Sequence, residues 1–393
     1  MSMAFRKSVS SFFPNSRRFF STAKPNVEFF QKYRDIYEKN QTLEKIIPKK
    51  LNNAQEIKQF FNLSDERVLK LDDPVIIDSI NSTVFTPCWR LMEGPGKRWR
   101  PVYGLIFAKL LKVNFEKDPE QLKLLMDVFS TIEFIHLGQL VLDDIADNSM
   151  YRREIPCIHV QYNVGTGIYT GLNLWNLSFR RLSEIRPEIA AKIRPEFEEC
   201  LNFLSLGQVM KEYISDSHNI PFYDNTSILT SGATPRFIMR SVFKIYGGDD
   251  SVLKQLDAMN DLMWLVHQLK DDIANIVPSF ISRIKGIVGD DIGAGKYTPM
   301  VIHALKNSDE KSSKRLYDIL KLKTTDQVLL DEAIEIIKKS GGIEVAEKMM
   351  WQNYNSIVER INHLRNTLDK EKYDLEGLDE LHGYAYQLTA LDK

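Results

Sequence analysis

Residues 119–147 carry apolar side chains on nearly every side of the helix that their spacing predicts, among them Leu122, Leu124, Leu125, Val128, Phe129, Ile132, Ile135 and Leu140. A helix that is apolar nearly all round has to lie at the centre of a bundle, because no face of it can be left to water. This run ends on three carboxylates, Asp143, Asp144 and Asp147, in the stretch "DDIADNS". Residues 251–275 repeat the arrangement: Leu253, Leu256, Met259, Leu262, Met263, Leu265 and Val266 lead into "DDIAN", Asp271 to Asn275. The C-terminal third, from Asp326, reads as two amphipathic helices broken at Gly341-Gly342. Strand signals are scarce, no Gly/Pro/Ser linker divides residues 60–393, and no repeat is evident. These features predict an all-α, single-domain helical bundle over residues 61–393, with a helical extension at 25–60.

Composition narrows the function classes. The 393 residues are 43% apolar, enough for a substantial core, and the net charge is −1. Residues 1–24 hold five basic side chains and no acid, so the remainder, 47 basic against 53 acidic residues, is about −6. An acidic body gives no reason to expect nucleic-acid binding. The first 24 residues are basic, serine-rich and studded with Phe, the composition of a mitochondrial transit peptide, which places the mature chain in the matrix or on the matrix face of the inner membrane. Cys88, Cys157 and Cys200 are widely spaced, which excludes a CxxC zinc motif and a disulfide framework. The longest stretch free of Asp, Glu, Lys and Arg, Ile155 to Phe179, contains three Gly, three Asn and a Pro, and reads as protein interior rather than a membrane span.

Acids gathered at the end of a buried helix repel one another, and the helix dipole opposes them there. A divalent cation reverses that balance: hard carboxylate oxygens suit Mg²⁺, which commonly also takes substrate phosphates. A solvated acidic face would account for one such cluster. Two clusters, each behind a central apolar helix, point to metal. The remaining negative charge of a phosphate then calls for basic groups. "GPGKRWRP" offers Lys97, Arg98 and Arg100 at a helix start, where free amides also favour an anion. "YRRE" offers Arg152 and Arg153 past the first cluster, and "KGIVGDDIGAGKYTP" offers Lys285 and Lys296 past the second. Acids, Mg²⁺ and cations around an apolar interior point to a substrate with a diphosphate head and a greasy tail.

Over about residues 75–365 the chain resembles the trans-isoprenyl diphosphate synthases, nearest to those making geranylgeranyl and longer polyprenyl diphosphates. The resemblance rests on "GKRWRP", "IHLGQLVLDDIADNSMYRREIPCIH", Gly207-Gln208, "HQLKDDIAN" and "GDDIGAGKYTPMVIHAL". It implies the isoprenoid synthase type of bundle with a central apolar cavity, and condensation of isopentenyl diphosphate with an allylic diphosphate. Asp143, Asp144 and Asp147 would form the first aspartate-rich motif and Asp271, Asp272 and Asn275 the second, together holding three Mg²⁺ ions. Arg152, Lys285 and Lys296 would also contact the allylic diphosphate. Lys97, Arg100, His136 and Arg153 would grip isopentenyl diphosphate, Arg98 would lie with them among the substrate-binding residues, and Gln208 and Gln268 would face the reaction centre. The resemblance also implies a homodimer or a heteromer.

Taken alone, His136 reads as a core histidine. Gly138 admits two readings: depth for a tail of twenty carbons or more, or close helix packing. The chain departs from the family pattern at Glu154, Lys211, Leu142 and His267, and the usual lysine near "LTSGATPRF" is absent, with Arg236 the nearest cation. These departures support a rival expectation, a weak or inactive subunit of a mitochondrial complex, one associated with the inner membrane, or of a heteromeric synthase.

Overall fold

The computed structural model describes residues 25–40, 43–63, 70–93, 96, 98–152, 155–212, 219–277 and 288–390. Segment 1–24 lies outside the described residues. Apart from a two-residue hairpin, β1 (Tyr151–Arg152) and β2 (Ile155–Pro156), paired antiparallel, the regular structure is helical. The helices are α1 (Glu28–Asn40), α2 (Ala54–Phe61), α3 (Pro74–Ile80), α4 (Thr86–Glu93), α5 (Trp99–Leu110), α6 (Pro119–Ala146), α7 (Ile158–Gln161), α8 (Val164–Glu184) and α9 (Pro187–Glu212). They continue with α10 (Ile220–Thr230), α11 (Ala233–Tyr246), α12 (Asp250–Ile276), α13 (Asp290–Gly293), α14 (Pro299–Asn307), α15 (Glu310–Leu322), α16 (Gln327–Lys339), α17 (Gly342–Thr367) and α18 (Leu375–Leu388). A π-helical turn, Asn81–Phe85, joins α3 to α4. The all-α class read from the sequence is the observed one.

Local chemistry sets the helix starts. Asp118 caps α6 by accepting from the amides of Glu120 and Gln121, and Pro119 occupies the first turn, where a missing N–H costs nothing. Asn163, Asn219 and Thr298 cap α8, α10 and α14 in the same way. Between α16 and α17, Gly341 takes φ +79°, a left-handed conformation that glycine adopts without a Cβ penalty.

The two apolar helices lie where their patterns require. On α6, Val128, Phe129, Ile132 and Ile135 are fully buried, and on α12 Leu256, Met263, Val266 and Leu269 are too. By length and composition α6 could cross a bilayer, but 78% of its most apolar stretch is covered by the protein itself. Its main partner is α8, while α12 packs chiefly on α17. The α6–α8 crossing is tight at two glycines. A Cβ on Gly138 would stand 2.5 Å from Trp175 Cδ1 and 2.7 Å from the Gly171 carbonyl oxygen, and one on Gly171 would meet Leu142 Cγ at 2.8 Å. Gly138 therefore serves helix packing, and the space a side chain would take there is already filled by Trp175.

α1 joins the main core through Phe29, Tyr33 and Tyr37, lying on α5. The Tyr33 hydroxyl donates to Glu380 on α18 at 2.9 Å. The described residues of 43–63 and 70–92 build a second apolar cluster, with Leu43, Ile47, Leu51 and Phe85 packed on Phe134, Leu137 and Leu174 of α6 and α8.

Candidate active site

The acids at the end of α6 are each held differently. Asp143 accepts from Gln139 Nε2, one turn back, at 2.7 Å, and from Gln208 Nε2 on α9. Burial pushes its carboxyl above the usual range, Lys211 opposes that rise, and the neighbouring Asp147 adds to it. Asp144 is 2% exposed and receives the Arg152 guanidinium from β1, through Nε at 2.9 Å and through the second terminal nitrogen. Burial works against the Arg152 charge, but Asp144 outweighs it and holds the guanidinium well above its ordinary pKa. Cys157, packed beside the same pair, is pushed up to about 12, by burial first and then by Asp144. The hairpin thus delivers a cation to the buried end of α6, where the helix dipole disfavours acid.

In the second cluster, Asp272 is held by neutral donors. The Tyr223 hydroxyl on α10 donates to Asp272 Oδ2 at 2.7 Å, and Gln268 Nε2 donates to Asp272 Oδ1 at 2.8 Å. Gln268 is itself fixed by the Ser231 hydroxyl at 2.8 Å. Burial drives Asp272 up to about 7, with the charge of Asp291 adding to the shift. Asp271 is more open and pairs with Lys270 at 3.0 Å. Asn275 donates through Nδ2 to Asp290 and accepts the Asp291 amide at 3.3 Å.

One lysine links the two clusters. Lys296 Nζ donates to Asp147 Oδ2 at 2.7 Å and to Asp291 Oδ1 at 3.0 Å. Burial opposes its charge, and the Asp291 and Asp147 carboxylates overcome that and raise its pKa well above the ordinary value. The chain Asp147–Lys296–Asp291–Asn275 thereby ties the end of α6 to the end of α12, two segments that the sequence keeps 128 residues apart.

Of the residues singled out from sequence, Asp143, Asp144, Asp147, Arg152, Gln208, Gln268, Asp271, Asp272, Asn275 and Lys296 belong to this linked set. His136 sits half-buried on α6 two turns before Asp143, on the same side of the helix. The two described arginines of the basic loop make their contacts elsewhere. Arg98 lies 6.0 Å over the Tyr37 ring of α1, and Arg100 Nε donates to Thr234 on α11 at 2.8 Å. Burial lowers the Arg100 pKa, against the charge of Glu133. Lys97, Arg153 and Lys285, and with them Glu154, lie outside the described residues. Arg236, the nearest cation to the missing lysine, is engaged by Asp261 on α12 and stacks over Phe203 at 5.4 Å. Asp261 precedes Asp271 by ten residues, about 15 Å along a helix. Arg236 is therefore committed away from the acids.

Sequence reading missed Gln139, Tyr223, Lys270, Asp290 and Asp291. The Asp290-Asp291 dyad was visible as a third pair of acids in "GDDIGAGK". Tyr223 had no local signal.

Among the described residues no three carboxylate, imidazole or thiol groups converge tightly enough to hold one metal ion by themselves. The donor set nonetheless suits Mg²⁺, which takes one or two carboxylates and completes its shell with phosphate oxygens and water. Asp143, Asp147 and Asp271, which are only partly buried, are the residues that would hold it.

The family model described as "Polyprenyl synthetase" matches residues 81–337, well over half of the chain and both acid clusters. The chain belongs to the polyprenyl synthetase family. It is an enzyme of the prenyl-transferring, trans-isoprenyl diphosphate synthase class. Among its relatives, a geranylgeranyl pyrophosphate synthase of Dictyostelium discoideum is 27% identical over 288 residues, covering 73% of this chain and 90% of that one. A short chain isoprenyl diphosphate synthase of Methanothermobacter thermautotrophicus is 26% identical over 323 residues, covering 80% and 94%. Among solved structures, a geranylgeranyl pyrophosphate synthase from Corynebacterium glutamicum, complexed with isoprenyl diphosphate and magnesium, aligns with TM-score 0.73 at 20% identity over 93% of this chain and 99% of that one. That likeness confirms the isoprenoid synthase fold.

Proposed function

We propose that this polyprenyl synthetase is a Mg²⁺-dependent enzyme that condenses isopentenyl diphosphate with an allylic diphosphate to a product of twenty carbons or more. One observation carries the reading: the ends of α6 and α12 are joined through Lys296 into a single acid-and-cation cluster above the apolar interior. Mg²⁺ bound there would neutralise the allylic diphosphate as it leaves. Asp143, Asp144, Asp147, Asp271, Asp272 and Asn275 present hard oxygen ligands, Arg152 and Lys296 supply fixed positive charge, and Gln208 and Gln268 orient the carboxylates they touch. Charge placed in advance beside a leaving diphosphate is the larger part of such catalysis. Lys97, Arg100, His136 and Arg153 are assigned to isopentenyl diphosphate, and Lys285 to the allylic head, on the family resemblance.

Chain length follows the relatives, several of which are geranylgeranyl pyrophosphate synthases. Gly138 gives it no support, because Trp175 fills the space beside it. The mature chain would begin near residue 25 and work in the mitochondrion, as the basic, acid-free leader favours. Val164, Ile168 and Leu172 on α8, with Leu206 and Val209 on α9, leave apolar surface exposed, and we assign that surface to a homodimer contact or to a sister subunit. The engagement of Arg236 by Asp261, which leaves the missing lysine unreplaced, favours a second reading: a weakly active subunit of a heteromeric synthase or mitochondrial complex.

Chromatography of products formed from labelled isopentenyl diphosphate and farnesyl diphosphate tests the proposal. A labelled prenyl diphosphate of twenty carbons or more supports it. Absence of product with every allylic primer, from folded protein, would refute it.

A further inference from the structure

Lys211 stands on α9 three residues after Gln208, so the two side chains share a face of the helix. Gln208 is fixed on Asp143, which turns that face toward the end of α6. The other cations of the site among the described residues are already committed: Arg152 to Asp144, Lys270 to Asp271, and Lys296 to Asp147 and Asp291. Lys211 alone among these has no ion-pair partner among the described residues. The charges acting on it most strongly are Asp143, then Lys296, Asp147 and Asp272, which come from both acid clusters. Reciprocally, Lys211 is the charge that acts most strongly on Asp143. The ammonium, exposed and paired with no described carboxylate, is therefore an unspent cation on the face of α9 that Gln208 turns toward Asp143.

Resting on the prenyltransferase reading above, we propose that Lys211 is a tethered counter-ion that takes the place of one divalent cation. An ammonium carried on that face repels a metal ion from the nearest carboxylates, and it can itself donate up to three hydrogen bonds to phosphate oxygens. The chain would then bind a diphosphate with one metal ion fewer than its acids could support.

Mn²⁺ titration of the full chain, read by electron paramagnetic resonance with and without inorganic pyrophosphate, tests this. Lys211→Asp should bind one more Mn²⁺ per pyrophosphate than the wild type. Lys211→Met, which keeps the length of the side chain without its charge, should bind Mn²⁺ alone about tenfold more tightly. Far-UV circular dichroism checks that each variant is folded, and Lys211→Gln serves if Lys211→Asp is not. Equal metal number and affinity in wild type and folded variants would overturn the assignment. So would a loss of pyrophosphate affinity in Lys211→Met that is the same with and without Mn²⁺ at constant metal number, since Lys211 would then be a simple phosphate ligand. If the wild type binds no pyrophosphate at any Mn²⁺ concentration, the prenyltransferase reading falls as well. Condensation activity with an unchanged metal count removes only the Lys211 proposal.

Discussion

The two acid clusters look alike in sequence and are stabilised by different physics. At the end of α6, Asp144 and Asp147 are answered by cations carried in from outside the helix, Arg152 from the hairpin and Lys296 from the segment after α13. At the end of α12, Asp272 is answered by a phenol and an amide, and its carboxyl rises toward neutrality. A buried carboxylate can be kept ionised by an opposite charge or surrounded by neutral donors that only partly replace water. Asp144 and Asp147 thus come with their charge already balanced, and Asp272 keeps a demand for positive charge that a bound cation would meet. The difference assigns the two ends of the diphosphate site unequal roles before any substrate arrives.

Arg152→Met should break the comparison hardest. It leaves Asp144 buried without a counter-charge and should cost about 3 kcal/mol in urea unfolding of the metal-free protein. Adding Asp144→Asn to that variant should restore much of the loss; failure to do so would mean that the pair does not carry the stability. Gly138→Ala should cost about 1–3 kcal/mol, because the new methyl has no room between Trp175 and the Gly171 carbonyl. The product length of Gly138→Ala should not change, whereas a shorter product from a fully stable variant would place residue 138 in the tail cavity. Tyr223→Phe should have the smallest effect, about 1 kcal/mol for one lost hydrogen bond to Asp272. A loss as large as that of Arg152→Met would show that the second cluster depends on its donors as the first depends on its cations.

Much of this was legible in the sequence. The 3.6-residue spacing of apolar side chains locates α6, α12, α16 and α17 within a residue or two, because burial of a whole helix leaves its mark on every turn. The acid runs mark both ends of the site, since carboxylates at the close of a buried helix need an external reason. What stayed hidden were partners met only through tertiary contact. Nothing near Tyr223 announces that its hydroxyl reaches Asp272, 49 residues on. Arg236 has the right charge near the missing lysine, but Asp261 across the α11–α12 contact claims it. Gly138 was ambiguous because a glycine shows what is absent, and only Trp175 on the neighbouring helix shows what fills the gap. Arg98 likewise looks like a phosphate ligand until Tyr37 of the N-terminal extension is found beneath it.

The central claim is that the carboxylates ending α6 and α12 act together on one diphosphate head. Its most direct test is the initial rate of labelled isopentenyl diphosphate incorporation into prenyl product, compared among wild type, Asp143→Ala and Asp271→Ala, with Mg²⁺ and after chelation. Either substitution, or chelation alone, is expected to lower the rate about a thousandfold with helicity unchanged. A rate that survives chelation, or that either variant retains, would contradict the account.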